Sequence, residues 1–311
     1  MTPLINASDG YRRSTWLRAA RYAWLLVVIP TLTWLLATRG DEMINRTETY
    51  SPRLLASCLA CVLLGKWLVL LQMRLSLIAV KGRFAVSDIL YVYSMSDVSK
   101  YLPGGVWGIL GRIGLYRVRG LTNRQAAVAL LRERPWLIGG AFVVGAALAI
   151  DAIHDLAFAN LAWPESAQYV RVVAMAGALV ILLAINLGSS RVLSSRLSVG
   201  QSLGLVALQV GTWVLLGLGF GLLVPGTGPV DLLFTASGGF SMAFGTGFLV
   251  VFAPAGIGVR EVASSALLYR DLSVEVLLAM NVVNRLIWIV ADIVFALVAW
   301  SLAAGRKWRR P

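Results

Sequence analysis

Apolar stretches long enough to cross a bilayer recur along this chain: Leu54–Met73, Val170–Leu187, Ser202–Val224 and Ser273–Ala303. At about 1.5 Å per helical residue, about 20 residues cover a hydrocarbon core roughly 30 Å thick. Few folds are open to such a chain, because in lipid every backbone N–H and C=O must be bonded within the protein, as an α-helix does. The composition points the same way. The chain is 58% hydrophobic and 14% charged, whereas about a quarter of a soluble domain is charged. The 311 residues are taken up by spans, with no connecting loop long enough for a folded soluble domain, so 1–311 reads as one transmembrane domain.

Two apolar runs are interrupted where a simple span would continue, at Lys100-Tyr101-Leu102-Pro103-Gly104-Gly105-Val106-Trp107 and at Phe252-Ala253-Pro254-Ala255-Gly256-Ile257-Gly258-Val259-Arg260-Glu261. Pro and Gly are the strongest helix breakers, and here both stand beside fixed charges. The run before the first break, Phe84–Val98, reaches only about 22 Å as a helix, short of a full crossing. Both breaks therefore read as tips of re-entrant helical hairpins, about 84–116 and about 231–268.

The expected plan is an all-α polytopic membrane protein with about six full crossings and two hairpins. The crossings are Tyr22–Thr38, Leu54–Met73, Leu121–Ile153 (Thr122 as N-cap, Pro135 as a kink), Val170–Leu187, Ser202–Val224 and Ser273–Ala303. Hairpins that span fully would leave parity unchanged. Basic residues at both ends, Arg12 to Arg21 and Arg306 to Arg310, place both termini in the cytoplasm by the positive-inside rule. The net charge of +13 follows from that rule and also suits attraction to anionic lipid head groups. Its scatter among apolar spans excludes a nucleic-acid-binding face. The only cysteines, Cys58 and Cys61, lie within an apolar helix and the only histidine, His154, lies near a loop. They read as packing residues, and zinc chemistry or a Cys/His nucleophile is excluded.

Sliding the chain on itself by 151 puts Pro103 on Pro254 (254 − 103 = 151), Gly105 on Gly256, Arg119 on Arg270 and Arg134 on Arg285. Three crossings separate equivalent points, so 1–153 and 154–311 would have opposite orientation. Such inverted repeats are the plan of many transporters, with broken helices and a midplane substrate site.

Charge at membrane depth is costly and marks function by default. In the last helix Asn281, Asn284, Arg285 and Asp292 share one face, and Glu133 and Arg134 take the places of Asn284 and Arg285 in the matching helix. In the second hairpin, Gly256 and Gly258 allow close backbone approach at a helix start, where free N–H groups bind anions. Arg260 can add a bidentate phosphate contact, and Glu261 can pair with an arginine or carry a proton. The first hairpin contributes Asp97, Lys100, Pro103, Gly104, Gly105 and Arg112. Each ionisable residue here could equally lock helices together as a structural pair. The proton-carrier candidates are Glu261, Glu133, Asp292 and Asp97. No residue reads as catalytic, and no metal or cofactor is called for.

The segments Lys100 to Gly105 and Pro254 to Glu261 resemble the two signatures of the lysylphosphatidylglycerol synthase transmembrane-region family, also called flippase-like; Ala255 stands where members more often have Gly. The resemblance implies a stand-alone member without the soluble synthase domain. It implies a transporter rather than an enzyme: a lipid translocase of a bacterial-type cytoplasmic (inner) membrane. The cargo would be an anionic phospholipid or a polyprenyl- or glyco-linked lipid. Alternatives are a membrane-embedded lipid-modifying transferase or a non-transporting partner of a cell-envelope glycolipid enzyme. Anionic lipids are the expected partners. Envelope-biosynthesis enzymes and a second copy of the chain remain open.

Overall fold

Helix α1, Pro52–Ala79, shows how the local sequence sets the architecture. Ser51 caps it by accepting the Leu54 N–H at 3.2 Å, and Pro52 occupies the first turn, where a missing N–H costs nothing. Cys58, Val62, Lys66, Val69, Met73 and Leu77 recur every three or four residues as its buried stripe. In this computed structural model the described residues are 50–80, 84–98, 107–157, 167–192, 197–226, 229–250, 253 and 256–304, with eight helical, exposed positions between Tyr22 and Asp41. The expected first crossing, Tyr22–Thr38, lies mostly outside them.

Nine further helices follow among the described residues: α2 Val86–Val98, α3 Trp107–Val118, α4 Asn123–Leu148, α5 Ile150–Ala157, α6 Ala167–Val192, α7 Val199–Gly221, α8 Val230–Leu249, α9 Val259–Leu268 and α10 Val274–Ala304. The described residues are all-α, with no strand among them. Among the described residues, five helices are long and apolar enough to cross a membrane: α1, α6 within Tyr169–Leu187, α7, α8 and α10 within Val274–Ala303. Four were expected as crossings. The fifth, α8, was expected as a hairpin arm, yet its 20 residues reach about 30 Å.

The helix expected over Leu121–Ile153 is corrected. Thr122 and Gln125 form the capping box that starts α4, and α4 runs unbroken through Pro135, but it stops at Leu148. The stop lies where α4 crosses α8: a Cβ on Gly238 would sit 2.5 Å from the Gly145 carbonyl oxygen and 2.6 Å from the Ala149 nitrogen. The chain then restarts as α5, so His154, expected near a loop, is helical. Arg171 of α6 bonds Asp151 of α5 and, at 2.5 Å, Asp231 of α8, tying three helix ends together.

α1 packs along α7, with Gln72 donating to Thr212 Oγ1 at 2.7 Å and Cys58 fully buried against Gly219. α7 packs on α8 through an aromatic layer in which Phe220 stacks on Phe240 at 5.2 Å and Trp213 meets Phe244 edge-on at 5.1 Å. At one end of the α1/α7 pair, the buried Tyr50 hydroxyl donates to the Leu223 carbonyl at 2.9 Å, and burial pushes its phenol up to about 12, so it stays a donor. Tyr50→Phe should lower stability in detergent by about 0.5–1.5 kcal/mol, the worth of one such bond, read as a fall in the thermal midpoint. An unchanged midpoint would mean that this bond fixes nothing.

Candidate functional site

Polar residues on α1, α2, α3, α4, α9 and α10 meet at a cavity of about 390 Å³, walled on its other side by α7 and α8. Among the described residues, five cationic side chains line it (Lys66, Arg112, Arg134, Arg260 and Arg285) against three carboxylates (Asp97, Glu133 and Glu261). Asp292 stands behind, bonded to Lys66, and makes the fourth. The excess is positive.

Lys66 is 1% exposed and shared between two carboxylates, Asp97 at 2.8 Å and Asp292 at 2.6 Å. Its ammonium also lies 4.9 Å from the Trp288 ring centroid and 5.3 Å from that of Tyr93, an aromatic surround that favours a cation. Arg112 bonds Glu133 and donates its Nε–H to Ser96 at 2.9 Å, joining α3 to α4 and α2. Arg285 donates its Nε–H to Glu261 Oε1 at 2.6 Å, with Nη2 at ion-pair distance (2.5 Å) from the same oxygen, joining α10 to α9. Removing one member of such a pair leaves a charge in low dielectric, so these bridges hold the arrangement even where their net contribution is small.

Two arginines are set differently. The Arg260 guanidinium lies over the Phe244 ring at 3.9 Å, and Arg134 lies over Phe248 at 5.6 Å with its Nε buried and making no hydrogen bond. The glycines explain how Arg260 fits. A Cβ on Gly247 would approach Arg260 Cγ at 2.7 Å, and one on Gly256 would approach its Nε at 2.8 Å, so the two glycines form a slot for its stem. Gly256 also has φ of +68°, a conformation other residues resist.

The structure brings together most of the residues singled out in the sequence. Asp97, Arg112, Glu133, Arg134, Gly256, Arg260, Glu261, Asn281, Asn284 and Arg285 all line the cavity. Asn281 is partly committed to structure, its amide donating to Ser264 at 3.3 Å and to the Leu277 carbonyl at 2.8 Å. Asn284 keeps Oδ1 buried without a hydrogen bond. Gly258 is outside the lining, and its N–H, read in the sequence as a free anion-binding donor, is taken by Glu261 Oε2 at 2.8 Å. The start of α9 is thus capped by its own carboxylate, and the site's positive field comes from side chains. Lys100, Pro103, Gly104 and Gly105 lie outside the described residues. Lys66 was missed, although a lone lysine within an apolar helix meets the same criterion as Arg285.

Chemically, the cavity offers guanidinium and ammonium donors for an anion, amides for neutral polar groups, and apolar walls from Phe244, Phe248 and Val250. Its lining also includes Ile109 and Ile289, which are apolar and exposed. No protein-family model matches this chain, and no curated protein matches it.

Proposed function

We propose that this protein is a membrane lipid translocase. In this reading, it takes a phosphate-bearing head group into the cavity while the acyl or prenyl tail stays in the bilayer. The observation that carries it is the excess, among the described residues, of cationic side chains over carboxylates in a largely apolar cavity. A monoanionic phosphodiester would neutralise that excess, with Arg134 and Arg260 as its contacts. The exposed apolar side chains Ile109 and Ile289 at the lining suit a ligand whose remainder is hydrocarbon. The resemblance of the two Pro-Gly segments to the flippase-like family points the same way.

The inverted-repeat reading gains support from the helix boundaries. A shift of 151 takes the first residue of α4 onto Val274, the first of α10, and the last residue of α2 onto Leu249, the last of α8. It brings both ends of α3 within one residue of the ends of α9. Packing is reciprocal too. α4 contacts α7 and α8, while α10 contacts their counterparts α1 and α2. The ion pairs exchange polarity, since the return arm carries arginine in the first half (Arg112 to Glu133) and carboxylate in the second (Glu261 to Arg285). A cavity between two such halves suits alternating access by rocking. In this reading the paired α2/α3 and α8/α9 are the hairpins, and the protein sits in a bacterial-type inner membrane with its termini in the cytoplasm.

The test is movement of acyl-labelled phosphatidylglycerol and of a labelled polyprenyl phosphate between leaflets of phosphatidylcholine vesicles carrying the purified protein. Transfer of at least one probe should rise well above that of protein-free vesicles. It should fall at least tenfold in Arg134→Gln and in Arg260→Gln, each losing a charged hydrogen bond of about 1.5–3 kcal/mol. No transfer of either probe would remove the translocase reading, and undiminished transfer by both variants would remove the site assignment.

A further inference from the structure

The two asparagines on the polar face of α10 are in different states. Asn281 is tied into the protein, its amide donating to the Leu277 carbonyl at 2.8 Å and to Ser264 at 3.3 Å. Asn284, three residues on, is 5% exposed, lines the cavity and keeps Oδ1 buried with no hydrogen bond. A buried carbonyl oxygen without a donor carries its full desolvation penalty, and folded proteins leave few in that condition. A ligand that brings a donor into the cavity would remove the penalty.

The contacts around Asn284 lead to the arginines. Trp288, four residues on and on the same helix face, has its ring 5.3 Å from that of Phe244, and the Arg260 guanidinium lies over Phe244 at 3.9 Å. Phe248 is 5.6 Å from the Arg134 guanidinium and 6.0 Å from that of Arg260, so both arginines share one aromatic wall. The charge of the site limits what the donor can be. Five cationic side chains stand against four carboxylates among the described residues, so a single phosphodiester charge balances them and an ammonium on the same head group would restore the excess. The donor for Asn284 is then a neutral one, a hydroxyl. We propose that Asn284 determines head-group specificity by accepting a hydrogen bond from a hydroxyl of the lipid, and that the cargo is a phosphodiester lipid with a neutral polyol or sugar head group and one net negative charge. This rests on the translocase reading and narrows its substrate class.

The test compares dioctanoyl-phosphatidylglycerol with dioctanoyl-phosphatidylmethanol, which carry the same charge and differ in the head-group hydroxyls. In equilibrium binding to the detergent-purified protein, phosphatidylglycerol should bind about tenfold more tightly, because the analogue leaves the buried acceptor unpaired. Asn284→Leu should erase the preference by weakening phosphatidylglycerol alone, and its undiminished binding of phosphatidylmethanol shows that the variant is folded. Asn284→Ala is read in the same way if leucine does not fit. Equal binding of the two probes by the wild type, or a preference that survives in Asn284→Leu, overturns the inference. Dioctanoyl-phosphatidylethanolamine, whose ammonium restores the positive excess, should bind more weakly than phosphatidylglycerol, and equal binding overturns the neutral head group. Glycerophosphoglycerol, the same head group without chains, should compete far more weakly than the lipid; equal competition would assign the site to a soluble phosphodiester and remove the lipid. In the vesicles described above, transfer of acyl-labelled phosphatidylglycerol should fall about tenfold in Asn284→Leu, the cost of one such hydrogen bond. The stated binding preference in a protein that moves no probe leaves Asn284 as the head-group reader and removes the translocase reading instead.

Discussion

Lys66→Met is expected to be among the most damaging single substitutions in this protein, costing about 3–5 kcal/mol of stability. The lysine is fully buried, so its ammonium is the local counter-charge of Asp97 and Asp292, which it holds at 2.8 and 2.6 Å. Methionine fills similar volume, so loss of packing is a minor part of the effect. What remains is two carboxylates facing each other among Tyr93, Trp288 and Phe295, the rings that surround the ammonium. Each must then stay ionised without a cation or take a proton. A second substitution separates charge from shape: Lys66→Met with Asp292→Asn removes one carboxylate and should recover a large part of the loss. The measurement is the fraction of detergent-solubilised protein that stays monodisperse after heating. Wild-type resistance in Lys66→Met would show that the cluster does not hold α1, α2 and α10 together.

A comparable loss is expected from Gly238→Leu, through sterics alone. α4 and α8 cross with backbones in contact, so a Cβ at Gly238 would meet the Gly145 carbonyl oxygen at 2.5 Å and the Ala149 nitrogen at 2.6 Å. Those atoms are backbone and cannot swing aside. Overpacking of this kind costs about 1–3 kcal/mol and sometimes more, and here the contact joins two helices that wall the cavity. The neighbouring Gly239 is the internal control, since a Cβ there comes no nearer than 3.6 Å to Leu267. Gly239→Ala should change stability by less than about 0.5 kcal/mol. Equal tolerance at both positions would mean that α4 and α8 do not approach as described.

Much of the fold was legible because the physics involved is local. Periodic apolar runs gave four of the five helices able to cross a membrane among the described residues, and Thr122 marked the start of α4. The polar face of α10 was readable from the spacing of Asn281, Asn284, Arg285 and Asp292, and three of these four are buried as that spacing requires. The end of α4 was not readable, because the crossing at Gly238 that coincides with it lies almost 90 residues away in sequence. Nor were the pairings: nothing local to Arg112 selects Glu133, and nothing local to Glu261 selects Arg285. Two features could have been found earlier. Glu261 stands three residues after Gly258, the spacing at which a first-turn carboxylate turns back onto a helix start. Lys66, in the middle of α1, carries the same burial penalty that identified Arg285.

The most direct test of the central claim is a cryo-electron-microscopy map of the protein in nanodiscs containing phosphatidylglycerol and a polyprenyl phosphate. The expected result is phosphate density inside the cavity within hydrogen-bond reach of Arg134 and Arg260, with its tail leaving beside Ile109 or Ile289. A map in which every lipid phosphate stays at the bilayer surface, and the cavity holds only water or acyl chain, would contradict it.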